Sequence, residues 1–433
     1  MQNKIFLFIL IWFFCLVAII IKNWNRQKDS VGFVVIYIFC LSLIHFIPAF
    51  VYLFPGHWYI HEEWMFKGFR EATYGVVAFT IGNLIFANLF ISSKRVSAYN
   101  AEYKNKLINS KLPKRYFYFG LISYYILSKL FIRFPTFDAI ISAAQQLIVV
   151  GVCLNCWQAW QQKNKRRFVR WIIFSFLFPF LNIVMQGFIG FGTIMLLIVL
   201  LFCAKFFQPK WKLLFIGIFL IYFGMSFYLT YMREKAYLRS MFWADESRNI
   251  SKRIALFWNS FKDMEWFNPF NLEHLLKIDE RMNQNLYIGA VVDYIGRGKI
   301  NYAGGKTIYN AFLALIPRAI WKEKPIYAGG SELVSKYTGL EFSEGASIAI
   351  GQVMEFYINF SSWGVIIGFL ILGIFVAKID TMTGYYLAIG NLKKFICWFL
   401  PAISFLLIEA SLATIFASIG AGIFIAYLLT LNY

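Results

Sequence analysis

Four cations in one stretch, Arg281, Arg318, Lys322 and Lys324, have the side-chain chemistry to hold a phosphate. A guanidinium presents a planar fork of donors suited to phosphate oxygens, and an ammonium adds a point charge. Between them, Gly304-Gly305 leads into a helical pattern. Such a turn can offer backbone N–H donors to an anion. The set predicts a site for a phosphorylated ligand held at a membrane, because the chain around it is apolar. A lipid-linked diphosphate has that chemistry, with an anionic head at the interface and a tail that needs hydrocarbon. The competing use of these bases is pairing with nearby acids. For a single Lys that use is the expected one, whereas Arg281 and Arg318 are assigned to the ligand.

The stretch belongs to a long polar interruption, Met232 to Glu355, in an otherwise greasy chain. It holds 16 of the 42 Lys and Arg residues and 14 of the 22 Asp and Glu residues. The whole chain is 60% hydrophobic and only 15% charged, against roughly a quarter charged in a soluble domain. Several apolar runs reach the roughly 18 to 20 residues a helix needs to cross a bilayer. Lipid-facing backbone must satisfy its own hydrogen bonds, so these runs are helices. The class expected is an all-α polytopic integral membrane protein. It has about eleven transmembrane helices and one large, mainly helical extracytoplasmic loop between helices 8 and 9. Residues 1–231 carry helices 1–8, residues 232–355 form the loop, and residues 356–433 carry helices 9–11. The run Ile5–Ile21 lacks an Ala-x-Ala-like site and has its basic residues after it, so it reads as a span rather than a cleaved signal.

Eleven spans are expected to begin near Ile5, Val31, Tyr74, Tyr116, Ala139, Trp171, Gly190, Leu213, Trp363, Phe395 and Leu412. Basic residues cluster after the odd-numbered spans. Twenty-one Lys and Arg fall in those short loops, and only Lys67, Arg70, Lys129 and Arg133 fall in the opposite ones. This asymmetry places the amino terminus and the long loop outside and the carboxyl terminus in the cytoplasm. The net charge of +20 has the same origin and calls for no nucleic-acid partner. No internal repeat of the kind found in two-halved transporters is visible.

Other features read as structural. His57 and His61 have helical ligand spacing but lack a clear third ligand, so an interfacial aromatic segment is the expected reading and no metal site is assigned. All six cysteines lie in apolar runs, and Cys153-Leu-Asn-Cys156 is expected to be a buried, inert pair. Ile250, Ile254, Phe257, Phe261 and Met264 recur at helical spacing, with Arg248, Lys252, Arg253 and Lys262 between them. This predicts an amphipathic helix that either lies on the membrane surface or packs against the loop's own core. A second helix is expected from about Asp279 to Ile295, with Arg281 near its start. A third should follow Gly304-Gly305, with Thr307 as a cap, and stop near Pro317. A short helix from Ser331 to Tyr337 should end at Gly339.

From Arg281 onward the chain resembles the Wzy-type O-antigen and oligosaccharide repeat-unit polymerases. The residues that carry the resemblance are Arg281, Tyr302 with Gly304-Gly305, and Ile316-Pro317-Arg318 with Trp321 and Lys324-Pro325. They continue through Gly330, Tyr337 with Gly339, Ser347-Ile348-Ala349, and Glu355 with Tyr357, Asn359, Phe360 and Gly364. Two positions depart from the family pattern: Lys322 stands where Pro usually follows the Trp, and Ser361 stands where Gly often follows Asn-Phe. The resemblance implies a polymerase that transfers a growing glycan from undecaprenyl diphosphate to the sugar of another lipid-linked repeat unit. It implies no nucleotide sugar, no cofactor and no required metal. It places the protein in a bacterial cytoplasmic membrane, working with a flippase and a chain-length regulator in O-antigen or capsule synthesis. Trp321 and Asn359 join Gly304, Gly305, Lys322 and Lys324 as implied substrate-binding residues, and Arg281 and Arg318 as implied catalytic ones.

In such a reaction cations stabilise the departing diphosphate and a base assists the acceptor hydroxyl. Asp293, Glu344 and Glu355 are the candidate bases. Glu355 is preferred, because it sits where the loop returns to the membrane; its structural alternative is a carboxylate balancing a helix start. Glu409 is a separate suspect as an acid near membrane depth. Two other readings are a ligase that moves glycan to another acceptor and a flippase for lipid-linked oligosaccharide. A transporter would spread charges through its spans. Here they are gathered in one outer segment, which favours the enzyme.

Overall fold

Long apolar runs give long helices. The computed structural model describes residues 2–25, 30–54, 61–87, 110–124, 135–186, 189–206, 211–243, 250–316, 321, 323–324, 330–342 and 348–431. Every regular element among them is helical. Among the described residues six helices are long and apolar enough to cross a membrane: Gln2–Asn23, Ala139–Gln161, Lys165–Val184, Phe215–Lys235, Gln352–Ala388 and Leu412–Leu431. Phe33–Ile44 and Gly190–Ala204 are apolar but shorter. Of the stretches expected to span from Tyr74 and Tyr116, the described parts, 74–87 and 116–124, are helical, the first in a helix that starts with charged residues at Glu62. The stretch from Phe395 is helical to Ile403, with Pro401 inside the helix, and continues as a 3-10 turn over Ser404–Leu406.

By internal contacts the chain forms two compact units, Met1–Leu154 with Asn283–Tyr433, and Asn155–Met282. The long polar segment is therefore shared between them, dividing at Met282 and Asn283.

The first unit contains α1 (Gln2–Asn25), α2 (Phe33–Ile44), α3 (Phe46–Val51), α4 (Glu62–Ile81, continued by a π turn over Gly82–Phe86), α5 (Leu112–Ile122) and α6 (Pro135–Gln145). α7 (Leu147–Gln161) runs across the division between the units. The second unit contains α8 (Lys165–Ser175), α9 (Leu177–Gln186), α10 (Gly190–Ala204), α11 (Trp211–Trp243), α12 (Ile250–Lys262) and α13 (Leu272–Met282). The chain then returns to the first unit through α14 (Gln284–Gly296), α15 (Lys306–Ala314), α16 (Gly330–Thr338), α17 (Gln352–Ala388), α18 (Leu392–Ile403) and α19 (Leu412–Leu431).

In the first unit α4 is the central post. It packs against α14 on one side and α17 on another. The approach to α14 is backbone on backbone: a Cβ added at Gly289 would lie 1.8 Å from the Trp64 carbonyl, and one at Gly68 would lie 1.9 Å from that of Asn285. Two glycines therefore let a helix of the polar segment lie directly on α4. Buried polar groups fix the same contact. Asn285 Nδ2 donates to the His45 carbonyl at 2.9 Å, and Asn285 Oδ1 meets His45 Nδ1 at 2.7 Å. His45 is the hinge residue between α2 and α3. Buried Asp380 fastens the other end of α2, its Oδ1 accepting the Val31 and Phe33 amides at 2.9 Å.

In the second unit the aromatic side chains do the fastening. Phe257 is buried in a cluster with Ile183, Phe227 and Tyr231, and Phe180 and Phe261 pack on it. The amphipathic helix expected from the sequence is α12. Its Phe257 and Phe261 serve the unit's own core, while Ile254 and Trp258 are exposed. Cys153 and Cys156 are buried in α7, as their apolar setting predicts.

Two expected helix boundaries shift. The helix placed at Asp279–Ile295 is two helices, α13 and α14, broken at Asn283. The Asn283 side chain accepts the Asn285 amide and starts α14, as an N-cap asparagine does. Arg281 therefore sits in the last turn of α13 rather than at a helix start. A cation is favoured at that end by the helix dipole. The α15 helix begins with Gly305 at the cap position, and Thr307 is already inside its first turn. The short helix before Gly339 is present as α16.

Candidate functional site

The site is assembled where the polar segment returns to the longest apolar helix. α17 is not continuous. Phe360 and Ser361 have non-helical dihedrals, and Ser361 adopts φ 56°, ψ −154°. That conformation is close to glycine-only, and strain of this kind persists only where the surroundings enforce it. The Ser361 and Tyr357 side chains are within interacting reach of one another.

A break in a helix frees backbone groups. Here the Ile358 carbonyl accepts the Ala303 amide at 2.7 Å. The next residues, Gly304 and Gly305, both adopt positive φ, 58° and 89°. Gly305 lies against the Phe360 ring. The glycine turn is thus seated on the break, and α15 starts from it. Gly304 and Lys306 are exposed. The turn presents the N-terminal edge of α15, where backbone N–H groups lack intrahelical partners and the dipole is positive. Two exposed aromatic rings adjoin it, Phe360 against Gly305 and Tyr302 two residues before Gly304, and Tyr309 and Phe312 are exposed on α15 itself.

Behind the turn lies a buried polar chain. Asn359 Nδ2 donates to Thr307 Oγ1 and to the Glu355 carbonyl, both at 2.7 Å. The Glu355 carboxylate is a further partner of Thr307, and its Oε2 accepts the Leu412 amide at 2.6 Å. Leu412 is the first residue of α19, so Glu355 caps that helix from a distance. Beside it the backbone of Gly351 and Gln352 donates to the carbonyls of Glu409 and Ile408, at 2.8 and 3.1 Å. Tyr37 donates to Gln352 Oε1 at 2.6 Å. Asn359 Oδ1 is buried and has no hydrogen-bond partner.

The remaining expected residues fall as follows. Lys324 is buried, and its ammonium donates to the carbonyls of Ala314 and Ile316 at 3.0 and 2.9 Å. It closes the carboxyl end of α15, as a cation near a helix C-terminus can. Trp321 is half-buried, and its carbonyl accepts the Lys324 amide. Arg281 is exposed on α13 in the second unit. Arg318, Lys322 and Glu344 lie outside the described residues.

Asp293 is held in ion pairs with Lys67 at 3.2 Å and Arg297 at 2.7 Å. Burial pushes its carboxyl up, but the hydrogen bond and charge of Lys67 and the charge of Arg297 outweigh that and hold it below the usual range. His57 is outside the described residues, and His61 stacks on Trp64 at 4.4 Å.

Sequence reasoning located the glycine turn and Glu355 but passed over Thr307 as a partner and Leu412. The only signal for Leu412 is its place just after the polar turn Glu409–Ser411. No curated protein and no solved structure matches this chain. One family does match, over residues 37–390, and is described as a domain of unknown function, DUF8712. That match covers most of the chain, which therefore belongs to the DUF8712 family.

Proposed function

We propose that this protein is a membrane glycosyltransferase that polymerises lipid-linked oligosaccharide repeat units. It moves the growing glycan from undecaprenyl diphosphate to the sugar of another lipid-linked unit. The observation that carries the reading is the Gly304–Gly305 turn. It presents the start of a helix to solvent at the place where the chain enters its longest apolar helix, Gln352–Ala388. The exposed Tyr and Phe side chains at the turn and on α15 suit the headgroup level of a bilayer. An anion bound there would have its head on backbone donors and its tail in lipid, which is the geometry of a lipid diphosphate. The sequence assigns Arg281 and Arg318 to phosphate, with Lys322 near Arg318 in sequence.

The topology that goes with it has eleven spans, the amino terminus outside, and residues 232–355 on the outer face of a bacterial cytoplasmic membrane. The asymmetry of basic loops supports that orientation. The experiment is deletion of the gene followed by gel analysis of surface glycan. A ladder that collapses to one repeat unit supports polymerisation. Loss of all attached glycan with lipid-linked polymer retained points to a ligase, and an unchanged ladder removes the proposal.

A further inference from the structure

The loop between α12 and α13 is seated on α11, a helix long and apolar enough to cross a membrane. Between Lys212 and Arg233 that helix has twenty residues without a charge. At roughly 1.5 Å per residue they span about 30 Å, the thickness of a bilayer's hydrocarbon core. The two charges therefore mark the edges of the core, and depth can be counted inward from Arg233. The loop follows α11 in that direction. Arg233 Nη2 donates to the Asp263 carbonyl at 3.2 Å. The Glu265 amide donates to Thr230 Oγ1 at 3.0 Å, and the Phe267 amide to Ser226 Oγ at 2.9 Å. The Trp266 ring stacks on that of Tyr222, their centroids 6.0 Å apart. Thr230, Ser226 and Tyr222 lie about 5, 10 and 16 Å inside Arg233 along the helix.

What the loop turns outward is apolar. Phe270 is 84% exposed and Trp266 is 55% exposed. Leu272 and Leu276, one turn apart at the start of α13, are exposed as well. The surface continues through the Trp266–Tyr222 stack onto α11, where Ile218, Phe219 and Ile221 are bare. The loop's polar groups are paired within the unit. The amides of Asn268, Phe270 and Glu273 donate to His274 Nδ1, Asn268 Oδ1 and Asn271 Oδ1, at 3.0, 2.9 and 2.9 Å. The Asn271 amide donates to the Asn268 carbonyl at 3.1 Å, and residue 269 is proline, which has no amide hydrogen. Because His274 Nδ1 accepts an amide, Nε2 carries the proton and donates to Glu265 Oε1 at 2.8 Å. Glu265 Oε2 faces Arg233 Nη1 at 3.8 Å. Non-helical backbone is tolerated at membrane depth where protein supplies its hydrogen-bond partners.

We propose that the loop around Trp266 and Phe270, with Leu272 and Leu276 behind it, is a wedge inserted among lipid acyl chains, in the leaflet at the carboxyl end of α11. The polar segment then does not lie wholly outside the hydrocarbon; part of it dips back in. Lipid is the occupant because the same apolar surface runs on along α11, which the bilayer must cover. An exposed apolar patch of this kind marks a membrane or protein contact, and the depth of the Ser226 and Tyr222 contacts selects the membrane. The exposed charge beside the leucines, Glu273, pairs with Lys277 at 2.8 Å. The wedge stands apart from the glycosyl-transfer reading and requires no particular chemistry.

The test uses the full chain in vesicles of phosphatidylethanolamine and phosphatidylglycerol, with the photoreactive residue p-benzoylphenylalanine at one position. Phe270 is exposed, so the larger ring displaces nothing there. On irradiation the chain carrying it at Phe270 should gain the mass of one phospholipid. The chain carrying it at Glu280, exposed farther along α13, should gain none. A cross-linked dimer would show that a second copy covers the loop, and no adduct would show that it stands in water. Equal lipid capture at Glu280 would show that the loop has no preference for lipid over its surroundings. Irradiation in intact cells that joins Phe270 to another protein in place of lipid would show a protein partner. Each of these overturns the wedge. A second measurement needs no cross-link: lipid with brominated acyl chains should quench the fluorescence of the wild-type chain more than that of Trp266→Phe, and equal quenching also overturns it.

Discussion

Glu355 Oε2 accepts the Leu412 amide at 2.6 Å, across 57 positions of chain. The carboxylate at the head of α17 thereby caps the head of α19, and two membrane helices start from one joint. An amide at a helix start has no partner within its own helix, and a carboxylate there also meets the positive end of the dipole. Glu355→Ala should destabilise the protein by about 1–3 kcal/mol, because the Leu412 amide and Thr307 lose a buried partner. Glu355→Gln retains an acceptor and should lose about half as much. Thermal unfolding of detergent-purified protein checks both, and an unchanged midpoint in Glu355→Ala would reject the joint.

Ser361 holds a backbone conformation that a side chain resists, φ 56° with ψ −154°. Such strain costs about 1–3 kcal/mol. Ser361→Gly removes it and gives up the contact with Tyr357, worth about 1 kcal/mol. Ser361→Ala keeps the strain and loses the contact. Melting midpoints should rank Gly above Ser and Ser above Ala. An Ala variant more stable than the Gly variant would contradict the break.

The contact between α4 and α14 has no room for a methyl group at Gly289. Gly289→Ala forces the helices apart and should cost about 1–3 kcal/mol or more. Gly296 ends the same helix with nothing within 4 Å of an added Cβ. Gly296→Ala should change stability by less than about 0.5 kcal/mol, as open surface positions do. Equal effects from the two substitutions would show that the close approach is absent.

The same contact should depend on pH at both extremes. Asp293 is held below its ordinary value, so its stabilisation is present above about pH 4, the unfolded value. It is lost as pH falls through the lower folded value. Lys67 is raised, chiefly by its hydrogen bond to Glu63 with Asp293 adding to it and burial opposing. Its contribution is present below about pH 10.4, the unfolded value, and is lost as pH rises through the higher folded value. Asp293→Asn should flatten the acid limb of a stability–pH curve and cost about 1 kcal/mol at neutral pH, allowing for partial exposure. An unaltered acid limb would show that the pair contributes nothing.

Arg281 is exposed on the last turn of α13, with its side chain at the surface. If it holds a phosphate oxygen, Arg281→Ala should lower polymerisation about ten- to a hundredfold. A charge-assisted hydrogen bond is worth about 1.5–3 kcal/mol, and about 1.4 kcal/mol is a factor of ten. Arg281→Lys should recover part of the loss, since the charge stays and the fork goes. The assay is polymer formed by purified protein from lipid-linked repeat units, and normal turnover in Arg281→Ala removes Arg281 from the donor site.

Features set by short-range chemistry were legible in the sequence. Hydropathy is a local sum, so the membrane helices at Gln2–Asn23, Ala139–Gln161 and Leu412–Leu431 could be read from composition. The turn at Gly304-Gly305 could be read because it needs a conformation glycine adopts freely. The spacing of Phe257 and Phe261 revealed a helix with one apolar face. It could not say what covers that face, because the covering side chains, Phe180 and Phe227, arrive from other helices. The expected helix through Asp279–Ile295 missed the cap at Asn283, although an Asn ahead of an apolar run is a recognised start signal. Ser361 stood out in the sequence only as a departure from a pattern with Gly, and a serine there does not by itself announce a positive φ. The partners of Glu355 and Asp380 lie 57 and about 350 positions away. Local pattern carries no information over such separations, and only the folded chain decides which buried carboxylate finds a helix start.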